Sequence, residues 1–234
     1  MADLNLGYGY VIYTPNIPQK YHDQEVTLEF EGGIIPDQII IIIDGVLRSI
    51  IEPSENIKHL DLFLGKTLDF LVVNEGRAAY APRGVHYLPE MKGMFGKVRI
   101  KGTNDYLNDW SMYNVNDTTM IQTIEHFTRI QHQESYPRTS NFKPYCLAYY
   151  GTFWINIDVT DTFLHIRGFH RGQLYVNQFN VGRFRQDIPP QQTLYIPKQF
   201  LRFGINSISV VTLDPWPQDS SELYGEFFIH PVLN

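Results

Sequence analysis

One pair of carboxylates has a spacing that could support acid–base catalysis. Glu29 and Glu31 lie two residues apart in a run with strand character, so both side chains face the same side of the strand. They precede Gly32 and Gly33, at a strand end where water is expected to solvate both groups. Nothing in the neighbouring sequence would separate their pKa values into an acid and a base. The pair therefore predicts a solvated strand end and not a catalytic centre.

The other reactive residue types form no motif. The eight histidines are scattered, without a spacing such as HExxH that would hold a metal. Cys146 is the only cysteine, so this chain alone forms neither an internal disulfide nor a cysteine zinc cage. No serine stands in a GxSxG turn, the usual setting of an α/β-hydrolase nucleophile. We predict no catalytic residue, no metal and no cofactor.

Planar hydrogen-bond donors are the first group of binding candidates. Arg171 and Arg183 stand beside Gly172 and Gly182 in a segment rich in glycine and aromatic residues. Guanidinium groups hold carboxylates and carbonyls in defined geometry, and the glycines allow tight turns. The segment predicts contact with a sugar or with a neighbouring domain, or bracing inside one domain.

Glu75 and Arg77 form a second candidate in the motif Val73–Arg77, which ends a predicted buried strand. Their side chains could face a ligand. Alternatively, they close an exposed turn as an ion pair, which would contribute about 0–1 kcal/mol.

Trp154 is the aromatic candidate. It ends a cluster that begins at Tyr149, and an indole face is a suitable platform for a sugar ring. Strand alternation sends half of such a cluster inward, so the cluster also predicts part of a β-sandwich core.

Composition narrows the classes of partner. The 234 residues include 19 Lys and Arg against 25 Asp and Glu, a formal charge of −6, with no long basic run for nucleic acid. No window approaches the roughly 18 apolar residues of a membrane-spanning helix, and residues 1–6 do not resemble a secretory signal. The expected location is intracellular, unless the chain is a fragment of a lysosomal or secreted enzyme.

The elements that must position these candidates are short strands. Apolar and β-branched runs bounded by Gly, Pro, Asn and Asp recur along the chain without long helical stripes. The predicted strands are Gly9–Tyr13, Glu25–Phe30, Ile39–Ile43, Val46–Ile51, Leu60–Phe63, Thr67–Val73, Lys97–Ile100, Thr152–Ile157, Thr162–Ile166, Gln173–Val176, Thr193–Ile196, Ser207–Leu213 and Gly225–His230. This pattern predicts antiparallel sheets packed face to face.

A polar stretch divides the strands into two groups. Residues 1–115 are predicted to form a first β-sandwich, residues 116–142 a linker with one short helix, and residues 143–234 a second jelly roll. The groups also look like distant copies. Each half runs strand, turn, strand, glycine turn and long strand, with Asp44-Gly45 in the first turn and Asn177-Gln178 in the second.

Specific motifs then resemble a known family. Segments 161–164, 168–184 and 190–197 are similar to the last β-domain of glycoside hydrolase family 35 β-galactosidases. Gly9–Tyr13, Asp44-Gly45, Val73–Arg77 and Asp109-Trp110 follow the order seen in the preceding β-domain of that family. Gln178 departs from the family, which usually has glycine after the turn asparagine.

The resemblance implies an all-β fold of two tandem jelly-roll β-sandwiches, galactose-binding-domain-like. In the family these follow a catalytic barrel whose two glutamates cleave the glycoside, and the chain has no counterpart of those segments. We therefore expect a non-catalytic structural or interaction module, part of a larger assembly with other protein subunits. Two alternatives stay open: a fragment or accessory subunit of an active β-galactosidase, and a galactoside-binding lectin. The predicted binding residues are Arg171, Asn177, Arg183, Trp154, Glu75 and Arg77.

Overall fold

The computed structural model describes residues 9–32, 37–52, 55, 57–74, 76, 93–94, 96–115, 119–123, 147–186, 189–212 and 224–233. The chain divides into two compact units, Met1–Asp117 and Thr118–Asn234. In the described residues, no helix is long and apolar enough to cross a membrane.

The described residues of the first unit form eight strands. They are β1 (Gly9–Asn16), β2 (Gln24–Glu31), β3 (Gln38–Ile43), β4 (Val46–Ile51), β5 (His59–Leu64), β6 (Leu68–Asn74), β7 (Lys97–Ile100) and β8 (Asn108–Val115), with a short 3₁₀ turn at Gln19–Tyr21. A five-stranded sheet has the order β4-β3-β6-β1-β8, and a three-stranded sheet has the order β5-β2-β7. All the pairings are antiparallel.

Alternating side chains explain why these two sheets share one core. Ile39, Ile41 and Ile43 of β3 point into the same cluster as Phe70 of β6, and the small sheet contributes Leu28. The intervening residues Ile40 and Ile42 are also buried, so β3 is covered on both faces. A continuous β-branched run is what such a central strand requires.

In the second unit, the part of the chain that the structure describes forms seven strands. They are β9 (Leu147–Ile155), β10 (Thr162–Arg167), β11 (Arg171–Val176), β12 (Phe179–Arg185), β13 (Leu194–Ile196), β14 (Gly204–Thr212) and β15 (Tyr224–Phe228), with a 3₁₀ turn at Lys198–Phe200. A four-stranded sheet has the order β12-β11-β14-β9, and a three-stranded sheet has the order β13-β10-β15. Leu164 and Ile166 of the small sheet meet Leu174, Val176 and Val210 of the large sheet in the core. The prediction of an all-β chain with tandem galactose-binding-like sandwiches is confirmed.

The two units repeat one topology. Replacing β1–β7 by β9–β15 in order converts the strand orders of the first unit into those of the second, with β8 as the extra strand of the first unit. The repeat extends to individual bonds. Asp44 donates its amide to the carbonyl of Thr67 and accepts the amide of Thr67 on Oδ1, and Asn177 makes the same two bonds with Ser207. The predicted repeat of strands and turns is therefore confirmed.

The sequence analysis did not predict two of the strands, and several others are longer than predicted. β8 is mostly exposed and shows no apolar alternation, because only Trp110 and Val115 are even partly buried. β12 contains Gly182 and two arginines, which are atypical of a strand interior. β9 begins at Leu147 instead of Thr152. Residues 119–123 are helical, as predicted for the linker, whereas most of segment 116–142 lies outside the described residues.

The hairpin between β11 and β12 yields a first testable prediction. Asn177 and Gln178 have φ values of 48° and 70°, the left-handed pair of a two-residue hairpin turn. Replacing Gln178 by glycine removes about 1–2 kcal/mol of strain from the left-handed backbone conformation. In the opposite direction, the greater conformational entropy of glycine in the unfolded chain lowers stability by about 0.4–1 kcal/mol. We expect Gln178→Gly to raise the urea midpoint, by a net stabilisation of about 0.5–1 kcal/mol. The matched control is Gln24→Gly in β2, where glycine has no strain to relieve and should only destabilise; a gain there, or none at Gln178, would contradict the prediction.

Candidate functional site

The paired glutamates of β2 form an ion-pair network. The Arg99 side chain lies 2.6 Å from Oε2 of Glu29 and 2.9 Å from Oε1 of Glu31, so both carboxylates face one guanidinium. The hydrogen bond from Arg99 lowers the pKa of Glu29. A glutamate kept ionised in this way holds no proton to donate near neutral pH. The site that the sequence excluded as an acid–base pair is therefore a structural tie between β2 and β7.

Glu75 and Arg77 lie outside the described residues. Between them, the Gly76 amide donates to Oδ1 of Asn74 at 2.9 Å.

The arginine candidates lie together on the outer face of the four-stranded sheet. Arg171 is directly opposite Arg185, and Gln173 is directly opposite Arg183, in the register of β11 with β12. Inward-facing Leu174 and Phe184 belong to the core, so the alternate positions, Arg171, Arg183 and Arg185, point to the other face. Three partly buried guanidinium groups thus share one part of the sheet.

A cavity of about 340 Å³ adjoins two of these arginines. Arg183 and Arg185 line one wall, and the segment from Pro189 to Leu194 lines the other. Gln191 donates Nε2 to the carbonyl of Thr193 at 2.9 Å, which holds that segment in place. The lining combines these polar groups with Phe184, Pro189, Pro190 and Leu194, and both arginines already have partners within the protein.

The side chain of Asn177 braces the turn. Its Nδ2 atom lies 2.7 Å from both the carbonyl of Phe200 and Oδ1 of Asn206, while its Oδ1 accepts the amide of Ser207 at 2.9 Å. Every polar atom of the side chain therefore has a partner within the second unit. These bonds tie the β11–β12 turn to the start of β14.

Trp154 lies on the outer face near the end of β9. Its side chain is 63% exposed, and it stands directly opposite Ile205 of β14, which is 54% exposed. Next to it is a cavity of about 300 Å³ with a mostly apolar lining that includes Phe153, Leu201 and Phe227. Phe153 points inward, as alternation predicts, and its ring centroid lies 4.8 Å from that of Phe227. We call Trp154, Ile205 and Phe203 the Trp154 surface; Phe203 lies two residues before Ile205 in the chain and is 68% exposed.

The loop that borders this cavity is anchored at its end. Asp161 accepts the amide of Lys198 at 2.9 Å. That bond, with a second from the Tyr195 hydroxyl, lowers the pKa of Asp161, and the same contact raises the pKa of Tyr195. Both groups therefore stay in their ordinary charge states near neutral pH, and the loop after β9 is tied to the segment before β14.

Within the described part of the chain, no group of three or more His, Cys, Asp or Glu side chains is placed to hold a metal ion.

The sequence analysis missed three residues of these surfaces, namely Arg185, Phe203 and Ile205. Arg185 was detectable, because it lies two positions from Arg183 on one strand and must share its face. Ile205 was not, because its exposure depends on which residue of β9 lies opposite.

Comparison with known proteins assigns both units. Residues 1–116 match the profile of the first all-β domain of β-galactosidase, and residues 146–206 match its galactose-binding domain. The β-galactosidases of Macaca fascicularis and Homo sapiens are 28% and 27% identical to this chain over 97% of its length. The β-galactosidase-1-like protein of Mus musculus is 29% identical over 99%. In each case the chain spans 34% of the relative's own length.

Both matched domains are non-catalytic β-domains of glycosidases. The chain belongs to the β-galactosidase family, as the resemblance of its motifs implied. Among solved structures, a lectin from Pleurotus ostreatus in complex with GalNAc aligns over 94% of this chain and 76% of its own, at 15% identity and a TM-score of 0.28. That similarity is too low to carry an argument.

Proposed function

We propose that this chain is a non-catalytic module that binds the catalytic barrel of a β-galactosidase-type assembly. The observation that carries the proposal is the Trp154 surface, where three large apolar side chains are each more than half exposed. Exposed apolar patches of this kind mark sites that a partner covers. The family supplies the partner class, because its β-domains follow a barrel in a longer chain.

The charged residues of the outer face are also consistent with binding to a barrel. Bulky neutral groups at the Trp154 surface would form the centre of an interface, and the three arginines of the outer face would contribute polar contacts to carbonyls or carboxylates. Arg171 and Arg183 are thus proposed as partner-contacting residues, with Arg185 added from the structure. The module would shape the barrel's surroundings, and the glycoside would be cleaved by the barrel's own carboxylates.

The test is co-expression with the barrel of a related β-galactosidase. We expect the two polypeptides to co-purify, and galactoside hydrolysis by the barrel to increase in the complex. Phe203→Lys should weaken the association about tenfold or more, because it places a charge in a desolvated contact. The matched control is Met112→Lys in β8, which changes an apolar side chain of similar exposure, 51%, in the other unit. Absence of co-purification, or equal loss in both variants, would reject the proposal.

A second candidate is galactoside binding, favoured by the indole of Trp154 beside an apolar cavity. The C–H face of galactose could stack on this ring while nearby polar groups bind its hydroxyls. Weak contacts of this kind correspond to dissociation constants of about 1 mM. Titration with lactose should then change the tryptophan fluorescence of the intact chain, and Trp154→Ala should remove that change. A glucoside such as maltose is the control, and no response to lactose at tens of millimolar would exclude this candidate.

A further inference from the structure

Among the described residues, no strand lies at the outer edge of β9, whereas β8 covers the equivalent edge of the first unit. In the first unit, β8 pairs with β1 along Tyr10–Asn16, and five of the eight β1 residues are buried. The topological repeat makes β9 the counterpart of β1. Among the described residues, β9 pairs with β14 alone, and Ala148, Thr152 and Trp154 are exposed. The topology therefore allows a further antiparallel strand beside β9, and the described residues of the second unit supply none.

β9 also lacks the features that keep an edge from pairing with other chains. Natural edge strands are usually short, charged, bulged or interrupted by proline. Each of the other described edge strands has one such feature: Arg48 in β4, Asp61 in β5, Lys97 in β7, Asp109 in β8, Arg183 in β12, Glu226 in β15, and a length of three residues in β13. β9 reads LAYYGTFWI: nine residues without a charge or a proline, paired with β14 in an unbroken register.

We propose that β9 pairs antiparallel with β9 of a second copy of this chain, across a two-fold axis at Gly151. The joined sheets would run continuously through eight strands, four from each copy. This inference does not depend on the binding of a catalytic barrel.

Self-complementarity favours a second copy as the occupant. Pairing about Gly151 places Trp154 opposite Ala148 of the second copy, a large side chain against a small one. The same register places Phe153 opposite Tyr149 of the second copy, an aromatic pair of the kind that stabilises sheets. No like charges meet, because the strand has none. Each copy uses its open edge in the contact, so the two-fold pairing closes at a dimer and does not propagate into fibres.

The proposed register brings the same residue of the two copies close together, so substitutions of opposite charge can test the contact. Thr152 of each copy lies diagonally across the axis from Thr152 of the other, at about 7–8 Å, within reach of long side chains. Thr152→Lys should place two positive charges there, and Thr152→Glu two negative charges. Each variant alone should weaken dimerisation by about tenfold or more through like-charge repulsion. An equal mixture of the two should restore a dimer that contains one copy of each.

The measurement is molar mass by light scattering during size exclusion, from low to high micromolar concentrations of the full chain. The control is Ser111→Lys, an equivalent exposed change on edge strand β8, which should dimerise like the unmodified chain. Restoration in the mixture also shows that both variants are folded. The proposal is overturned if the unmodified chain is monomeric throughout, if both Thr152 variants dimerise normally, or if their mixture stays monomeric. A further outcome would also overturn self-pairing. If the chain were a monomer that binds a co-expressed barrel, and Thr152→Lys abolished that binding, the edge of β9 would be the binding site of the barrel.

Discussion

Phe70→Ala is expected to destabilise the first unit by about 3–5 kcal/mol, the usual cost of removing a fully buried aromatic side chain. Phe70 lies on β6, the middle strand of the five-stranded sheet, and has no exposed surface. Its ring contacts Phe30 of the opposite sheet at 6.4 Å between centroids and Trp110 of β8 at 5.7 Å. Alanine would leave a cavity between the two sheets that neighbours on rigid strands cannot fill.

Urea unfolding followed by circular dichroism measures the loss, and hydrogen exchange with mass spectrometry locates it. Protection should decrease in β1, β3 and β6 while the strands of the second unit keep theirs. Phe63→Ala is the matched control, since Phe63 lies on β5 and is 55% exposed. Its cost should stay within about 0.5 kcal/mol. Similar costs for the two variants would show that the core is not centred on Phe70.

The sequence predicted the two-unit β architecture because the central strands have unambiguous compositions. The five consecutive isoleucines Ile39–Ile43 avoid water only if both faces of their strand are buried. Asp44-Gly45 directly after this run predicts a turn at the end of the strand. The internal repeat was visible for the same reason. Its turn residues, Asp44 and Asn177, occupy left-handed conformations and bind a backbone amide, which few side chains can do.

The strands that the sequence missed are formed by pairing, not by composition. β8 gains its backbone hydrogen bonds from β1, and its mostly exposed side chains leave no apolar period. β12 is stabilised by its hairpin with β11, and the outward arginines conceal the inward Phe184. Both strands lie at sheet edges, where one face or one side is solvated and local composition is weakly constrained.

The candidate site was predictable residue by residue but not as an arrangement. Arg171 and Arg183 share a face only because the β11–β12 register aligns them, and that register contains an irregularity between Leu174 and Tyr175. Trp154 could have faced either way, since moving the strand by one residue reverses every side chain. The structure places it outward, next to a residue that is distant in sequence, Ile205. Long-range register is the information that local patterns lack.

Gly172→Ala is expected to destabilise the second unit by about 1–3 kcal/mol, although alanine normally suits a strand better than glycine. A Cβ atom at Gly172 would lie 2.5 Å from the carbonyl oxygen of Val211 and 2.8 Å from Cζ of Phe184. The Phe184 ring can rotate only by leaving the core, and the Val211 oxygen belongs to the backbone of the neighbouring strand β14. The added methyl group must therefore separate β11 from β14 or displace Phe184.

Gly151→Ala is the matched control for this variant, in the edge strand of the same sheet. A Cβ atom there meets only Cγ2 of Ile208, at an ordinary contact distance of 3.5 Å. The change should be neutral or stabilise by about 0.5–1 kcal/mol, because alanine loses less conformational entropy than glycine when the strand forms. Urea midpoints that move in opposite directions would show that the space beside Gly172 is filled by Phe184 and the Val211 backbone. If Gly172→Ala were as stable as the unmodified chain, the close approach of β11 and β14 at this point would be wrong.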